Sequence, residues 1–397
     1  MTLAGETTLA ADLHGVQVRA PAGDCATPPC EEGPFPEPAE PVSADGLGVP
    51  TPIFDPGGRA LTGFYDALET VKRDGGQARV VIFGASHVAG DVFTRVLRKR
   101  WKDQYGDAGA GFVIPAYPWR NYNHRDVELD YTRDRWSSSW VSRKHSRDDG
   151  LYGLGGISFS SDDKAARATI GTSERGSYGR SFASAEIYYW GHRRAGDLYV
   201  EIDGGKPKRI RMRSREAGPG YHRIELKDEA HKLVLRPRGN GPVTLYGVAL
   251  EREVPGVIVD TLGINGARAS GQLQWDPRLF ADHLARRQPD LVILAYGTNA
   301  TGDVGDPMEA YERRLDHVVN RIRSLQPEAS CVLVGPSDRP VKLDGPPTEE
   351  GGQPTLLLDR RPRQALVIAA QRRVSERYGC GHWDMVAAMG GDLSMIQ

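Results

Sequence analysis

Two kinds of hydrophobic pattern run along this chain, one set inside the other. Continuous apolar runs flanked by helical stripes occupy the two outer stretches, and short alternating runs occupy the middle. Val80-Val81-Ile82-Phe83 is the clearest of the first kind. Four adjacent apolar residues, mostly β-branched, suit a strand buried on both faces of a parallel sheet. Leu61, Phe64, Tyr65, Leu68 and Val71 make a helical stripe before it. Val88, Val92, Phe93, Val96, Leu97 and Trp101 make another after it, predicting an amphipathic helix from Ser86 to about Gly106. A Gly-rich turn over 106–111 and the run Phe112-Val113-Ile114 read as a second strand of the same layer.

From about Val127 to Glu253 the helical stripes disappear. Alternating runs appear at 185–190, 198–202, 223–226, 232–235 and 243–250, with Ile210 and Met212 forming a shorter one. Gly, Asp or Pro turns separate them, which predicts an antiparallel β-sandwich. The strand–helix pattern returns at Gly256. It predicts a strand at 290–296, a helix face of Tyr311, Leu315, Val318, Val319, Ile322 and Leu325, and a strand at 331–335. A Pro/Gly-rich loop over 336–354, a helix at 362–378 and a short segment at 382–384 follow. The fold class expected is α/β: a three-layer α/β/α parallel sheet interrupted by an inserted antiparallel sandwich. The division expected is a disordered Pro/Ala-rich arm over 1–56, α/β halves at 57–126 and 254–397, and the insertion at 127–253.

Composition changes this picture little. The formal net charge is −1, so no overall pull toward nucleic acid or anionic membrane is expected. No run of 18 apolar residues predicts a membrane span. The four cysteines contain no Cys-x-x-Cys pair, and neither a metal nor a cofactor is expected. Cys25 and Cys30 fit a small disulfide in the arm. Cys331 and Cys380 read as small core residues. The arm lacks the charged and apolar regions of a secretory signal.

Candidate chemistry sits where apolar runs end. Gly84-Ala85-Ser86 closes the first strand and opens a helix. In open α/β sheets such a turn faces the ligand crevice, with free N–H groups suited to an anion. Gly263-Ile264-Asn265-Gly266-Ala267 follows a second apolar stretch, 257–259. Gly297-Thr298-Asn299 ends a third, and an Asn carboxamide is a two-proton donor suited to an oxyanion.

Taken in this order, the three turns resemble blocks I, II and III of the SGNH hydrolases, or GDSL-type esterases. The resemblance implies a flavodoxin-like sheet, with Ser86 as nucleophile and an oxyanion hole made by the N–H groups of Ser86 and Gly266 and by Asn299; Gly263 is the fallback for Gly266. Ala85 and Ala300 stand where the family has Asp. The family's base is an Asp-x-x-His pair near the carboxyl terminus. Here that pattern occurs once, at Asp228 to His231, inside the insertion, where it reads as a polar turn. The tail Cys380-Gly381-His382-Trp383-Asp384, with Ala387 to Gly391, resembles the stretch that precedes the pair in a secreted branch of the family. The pair would then fall beyond Gln397. His382 reads as a strand end packed under the site, and His87 as a pocket-wall residue.

The branch resembled removes O-acetyl groups from polysaccharide or cell-wall glycan, and its insertion resembles a carbohydrate-binding module. It implies an acetylated glycan as partner, no nucleic acid, and an extracellular or periplasmic location. Trp136, Trp140, Tyr188, Tyr189 and Trp190 are candidate sugar-stacking rings, and Tyr117 to Arg120 a candidate rim. Arg209, Arg211 and Arg213 alternate with Ile210 and Met212, which reads as a strand with one solvated face; the alternative reading is a basic groove for an anionic glycan. The alternative function is a non-catalytic glycan-binding protein that keeps the scaffold without the base.

Overall fold

A computed structural model describes residues 51–142, 144–344 and 356–396. Most of the expected arm, with Cys25 and Cys30, and most of the 336–354 loop lie outside those residues. The chain opens with α1 (Thr62–Asp74), β1 (Gln77–Gly84), α2 (Ser86–Ala89), α3 (Thr94–Tyr105) and β2 (Gly109–Val113). Ten strands follow without a helix: β3 (Val127–Tyr131), β4 (Ser137–Trp140), β5 (Ile157–Ser161), β6 (Ala168–Thr172), β7 (Phe182–Gly191), β8 (Asp197–Ile202), β9 (Lys208–Arg211), β10 (Gly218–Glu229), β11 (Lys232–Pro237) and β12 (Val243–Glu251). The last stretch holds β13 (Gly256–Gly263), α4 (Pro277–Arg287), β14 (Leu291–Ala295), α5 (Met308–Leu325) and β15 (Ser330–Val334). It ends with the hairpin β16 (Val341–Asp344) and β17 (Leu356–Asp359), then α6 (Arg363–Arg377), β18 (Gly381–Trp383) and α7 (Met385–Ala388).

The outer stretches build one parallel sheet in the order β13-β1-β14-β15-β18. Numbered by first appearance this is 2-1-3-4-5, the flavodoxin-like order. Side-chain alternation along β1 divides its apolar run between the two faces. Val80 and Ile82 pack with Phe64, Leu68 and Val71 of α1. Val81 and Phe83 pack with Phe280 and Leu284 of α4, Leu315 and Val318 of α5, and Val367 of α6. Three α/β/α layers result.

The middle stretch builds two antiparallel sheets: β10-β7-β12-β5-β4, which β2 joins through β12, and β3-β6-β11-β8-β9. Ile187, Val248, Leu198, Val200, Ile210, Leu233 and Leu235 fill the space between them. The six-stranded sheet is covered on its other side as well. Phe112, Tyr188 and Tyr246 belong to the same buried cluster as Phe280 and Leu284 of the α/β layers. All nine residues of β12 are therefore buried.

Three expectations are corrected here. The Phe112-Val113 strand does not enter the parallel sheet. After an isolated parallel bridge from Asp107 to Val257, β2 pairs antiparallel with β12. The helix expected from Ser86 to Gly106 is broken: α2 ends at Ala89, Asp91 takes a left-handed φ of 52°, and α3 starts at Thr94. Val92 and Val96 are exposed, while Thr94, Arg98 and Lys102 are buried. Cys331 and Cys380 are not separate core thiols. They form a disulfide tying the start of β15 to the residue before β18.

Candidate active site

Register places the three turns at one level of the sheet. Gly84, the last residue of β1, pairs with Gly263 on one side and with Ala295 on the other. The neighbouring backbones are then stitched together: Ile264 N donates to Gly84 O at 3.0 Å, and Ala85 N to Ala295 O at 3.3 Å. Close approach explains the glycines. A Cβ on Gly84 would lie 2.3 Å from a Val88 methyl, and one on Gly263 would lie 2.1 Å from Ala89 N. The β13 end is thus pressed against α2. The order reverses between β1 and β14, and a ligand crevice lies outside the carboxyl ends of the strands at such a switch point. Ser86 and Asn299 leave the two strands that flank it.

Ser86 is exposed at the start of α2, and its hydroxyl has no hydrogen-bond partner among the described residues. The N–H groups of Ser86 and Gly266 also lack a partner among the described residues. Gly266 has a left-handed φ of 75°, and its Cα faces open space. Asn299 donates one Nδ2 proton to Ala267 O at 2.9 Å, which ties the third turn to the second. A primary amide carries a second such proton. Ala85 and Ala300 are both buried in the core cluster, where a carboxylate would need its own partner.

A polar cluster behind α2 was not anticipated from the sequence. Arg98 donates to Asp91 Oδ2 at 2.6 Å, to Asp126 Oδ2 at 2.9 Å and to Thr261 Oγ1 on β13 at 3.1 Å. Lys102 Nζ lies 2.7 Å from Asp126 and 2.9 Å from Asp107. Asp91 also accepts from Thr94 Oγ1 and Arg125 N. Asn123 N donates to Ala89 O, the last residue of α2. Burial alone would raise the Asp91 and Asp126 carboxyls. Arg98, joined by Lys102 at Asp126, overrides it and holds both below the usual carboxylate range. His124 is buried in the same cluster with neither ring nitrogen bonded, and burial pushes its pKa down to about 4. The sequence signal was Thr94, Arg98 and Lys102 at i, i+4 and i+8, a polar stripe on the helix face opposite the apolar one.

The family model described as GDSL-like Lipase/Acylhydrolase family matches residues 231–395, a span that includes Gly266 and Asn299 and begins after Ser86. A peptidoglycan O-acetylesterase structure aligns with a TM-score of 0.65 and 24% identity, over 84% of this chain and 85% of that one. Residues 231–395 are thus similar to GDSL-like acylhydrolases, and the fold is that of the peptidoglycan O-acetylesterase. A family two carbohydrate esterase from Cellvibrio japonicus aligns at a TM-score of 0.23 and 14% identity, over 64% of this chain and 85% of its own. A salicylyl-acyltransferase from a tetracycline biosynthetic pathway aligns at 0.25 and 17%, over 69% and 85%. No curated protein matches the chain.

The histidines of the lone Asp-x-x-His and of the tail are engaged elsewhere. Asp228 pairs with Arg252, while His231 Nδ1 lies 2.7 Å from Asp203 and Nε2 2.7 Å from Lys227 O. The lone Asp-x-x-His is therefore two separate contacts on the sandwich. His382 is fully buried on β18, its Nε2 3.4 Å from Gln371 Oε1, and burial lowers its pKa to about 4. Gln371 Nε2 in turn donates to Tyr296 O, just before Gly297. Two strands separate β18 from β1, so three strand spacings, roughly 14 Å, lie between them. His87 is half-buried, and its pKa is lowered by burial and by Arg339.

Among the described residues no group of three His, Cys, Asp or Glu is arranged to hold a metal. No described helix is long and apolar enough to cross a membrane. Tyr188 is corrected as a stacking candidate: it is fully buried, edge-on to Phe112, Tyr221 and His283. Trp136, Trp140, Tyr189 and Trp190 are half-buried. Trp119 and Trp140 meet edge-to-face at 5.3 Å, and Tyr122 packs against Trp119. Because Asn123 bonds to Ala89, this aromatic strip begins beside α2.

Proposed function

We propose that the protein is a serine esterase that removes O-acetyl groups from a polysaccharide or peptidoglycan outside the cytoplasm. Ser86 Oγ attacks the acetyl carbonyl. The carbonyl oxygen takes up the negative charge and receives hydrogen bonds from the N–H groups of Ser86 and Gly266 and from the second Nδ2 proton of Asn299. The sugar oxygen leaves with a proton, and water releases acetate from the acyl-serine. The observation that carries this reading is the register of Gly84 with Gly263 and Ala295, with two unpartnered N–H groups and a half-used carboxamide at that edge. The peptidoglycan O-acetylesterase of like fold and the aromatic strip beside α2 favour the glycan substrate. The Cys331–Cys380 disulfide favours an oxidising compartment.

The serine proton needs an acceptor. No described side chain hydrogen-bonds to Ser86, and the 397 residues hold no Asp-x-x-His after Asn299. Turnover by these residues alone is therefore expected to be slow. Removing a triad member leaves about 10³–10⁴-fold acceleration over water. The test is acetate release from O-acetylated peptidoglycan and p-nitrophenyl acetate. Ser86→Ala is expected to abolish the acetyl-serine adduct seen by mass spectrometry, and Asn299→Ala to slow acetate release about 10²–10³-fold. An acetyl adduct that still forms in Ser86→Ala would refute the assignment.

The unpartnered Ser86 hydroxyl also favours a second reading, a glycan-binding protein without turnover. Glycan affinity unchanged by Ser86→Ala, with no acetate released at any pH, would decide for it.

A further inference from the structure

Three connections of the sandwich meet at one corner: the β7–β8 turn (192–196), the chain leaving β9 (212–216) and the β11–β12 turn (238–242). His192 bridges Arg213, Ser214 N donates to His192 O at 3.2 Å, and Arg193 Nε donates to Arg215 O at 2.9 Å. Gly196 N donates to Pro242 O at 2.8 Å, and Arg238 N to Asp197 O at 2.9 Å. Exposed Arg193, Arg194, Arg211, Arg213, Arg215 and Arg238 are thereby gathered together. Asp197 answers two cations, Arg238 at 3.0 Å and Arg209 at 3.9 Å. Among the described residues, Arg194, Arg211, Arg213 and Arg215 make no ion pair. The whole chain carries a net charge of −1, so this excess of cations is local.

The corner continues onto the outer face of the five-stranded sheet. Leu198, Val200 and Ile210 point into the sandwich core, so Tyr199 and Arg209 point outward. Strand pairing sets Arg209 beside Tyr199 and Tyr199 beside Arg236, whose guanidinium lies 5.8 Å from the ring. Arg167 adjoins them in the same shallow depression, where Glu201 contributes one carboxylate beside Arg167, Arg236 and Tyr199. The row Arg209–Tyr199–Arg236 spans roughly 10 Å at the usual strand spacing.

We propose that this corner and sheet face bind a linear polyanionic glycan, one bearing carboxylate or phosphate groups. Like charges held within a Debye length repel one another, and a bound anion relieves that repulsion. Guanidinium forks match carboxylate and phosphate oxygens in pairs. A single ring among cations suits one sugar face, whereas single-stranded nucleic acid calls for successive stacking rings. The disulfide also favours an oxidising compartment. Only the choice of glycan rests on the esterase reading; the cationic surface does not.

The test is titration of the full chain with an oligogalacturonate, a neutral maltooligosaccharide of equal length, and duplex DNA. Oligogalacturonate is expected to bind, with affinity falling between about 50 and 200 mM salt. Arg194→Ser/Arg213→Ser/Arg215→Ser is expected to weaken binding about ten-fold or more. Arg59→Ser/Arg95→Ser/Arg100→Ser, an equal charge change on exposed residues elsewhere, is expected to leave it intact. Equal loss in both variants, absence of saturable binding, or tighter binding of DNA lost in the first variant would each overturn the proposal. Acetate release is measured separately. Binding without turnover would overturn the esterase reading and leave this one standing.

Discussion

Helices α3 and α5 look alike in sequence and are used in opposite ways. Both belong to the α/β half, and each carries an apolar stripe. The α5 stripe is buried along most of its length: Tyr311, Leu315, Val318, Val319 and Ile322 face the core, and Leu325 at its end is half-buried. On α3, Val96 is exposed, and the fully buried side chains are Thr94, Arg98 and Lys102. The reason lies in the neighbours. Helix α5 packs its stripe against apolar residues of β1, β14 and α4, and its buried Asp316 is answered by Arg377 and Tyr378 at the end of α6. Helix α3 lies against the loop carrying Asp126 and the turn carrying Asp91, and its Arg98 and Lys102 supply the cations that those buried carboxylates need. Apolar area decides the orientation of a helix unless buried charges on its surroundings require a polar face.

Four changes would break or sharpen this contrast. Arg98→Met should have the largest effect, because it leaves Asp91 and Asp126 buried without their main cation. A loss of about 3–5 kcal/mol in urea unfolding is expected. Its companion signature is a drop in Ser86-dependent turnover, since Arg98 links Asp91 to Thr261 on β13. Leu315→Ala on α5 should cost about 2–5 kcal/mol through the cavity it leaves, with the remaining turnover unchanged in the surviving folded fraction.

Acid should come next. His124, His283 and His382 have folded pKa values of about 4, 3 and 4, against 6.5 when unfolded. The unfolded chain therefore binds more protons, and stability should fall as pH drops from 6.5 toward 4. Below about 3.8, the ordinary value for Asp, the lowered Asp91 and Asp126 carboxyls add a further loss. His124→Gln should flatten the upper part of that slope, read from unfolding midpoints across the range. Val96→Ser should have the smallest effect, within about 0.5 kcal/mol, because the side chain already faces water. A large loss there would mean that α3 is rotated from the orientation described.

The parallel sheet was legible because Val80–Phe83, 290–296 and 331–335 are nearly uninterrupted apolar runs, and such runs have few alternatives to a strand covered on both faces. The sandwich strands were legible from alternation. The first four strands of that region, β3 to β6, were not, because Val-Glu-Leu-Asp-Tyr, Ser-Ser-Ser-Trp, Ile-Ser-Phe-Ser-Ser and Ala-Thr-Ile-Gly-Thr are short and carry little apolar surface. Gly84, Gly263 and Asn299 could be picked out as turn residues, but their meeting at one edge depends on register between residues 179 and 211 positions apart. The Cys331–Cys380 pairing was invisible for the same reason: only the β15–β18 contact brings those thiols together.

The sequence by itself determined the class of most segments, strand, helix or turn, because periodicity and glycine placement act over a few neighbouring residues. It also determined which side chains were available for chemistry at the strand ends. Tertiary structure decided which of those side chains share a space. It placed β2 in the antiparallel sheet, turned the charged face of α3 inward, and sent Asp228 and His231 to different partners. Each of these outcomes balances burial against charge compensation among residues far apart in the chain, and no local pattern carries that balance.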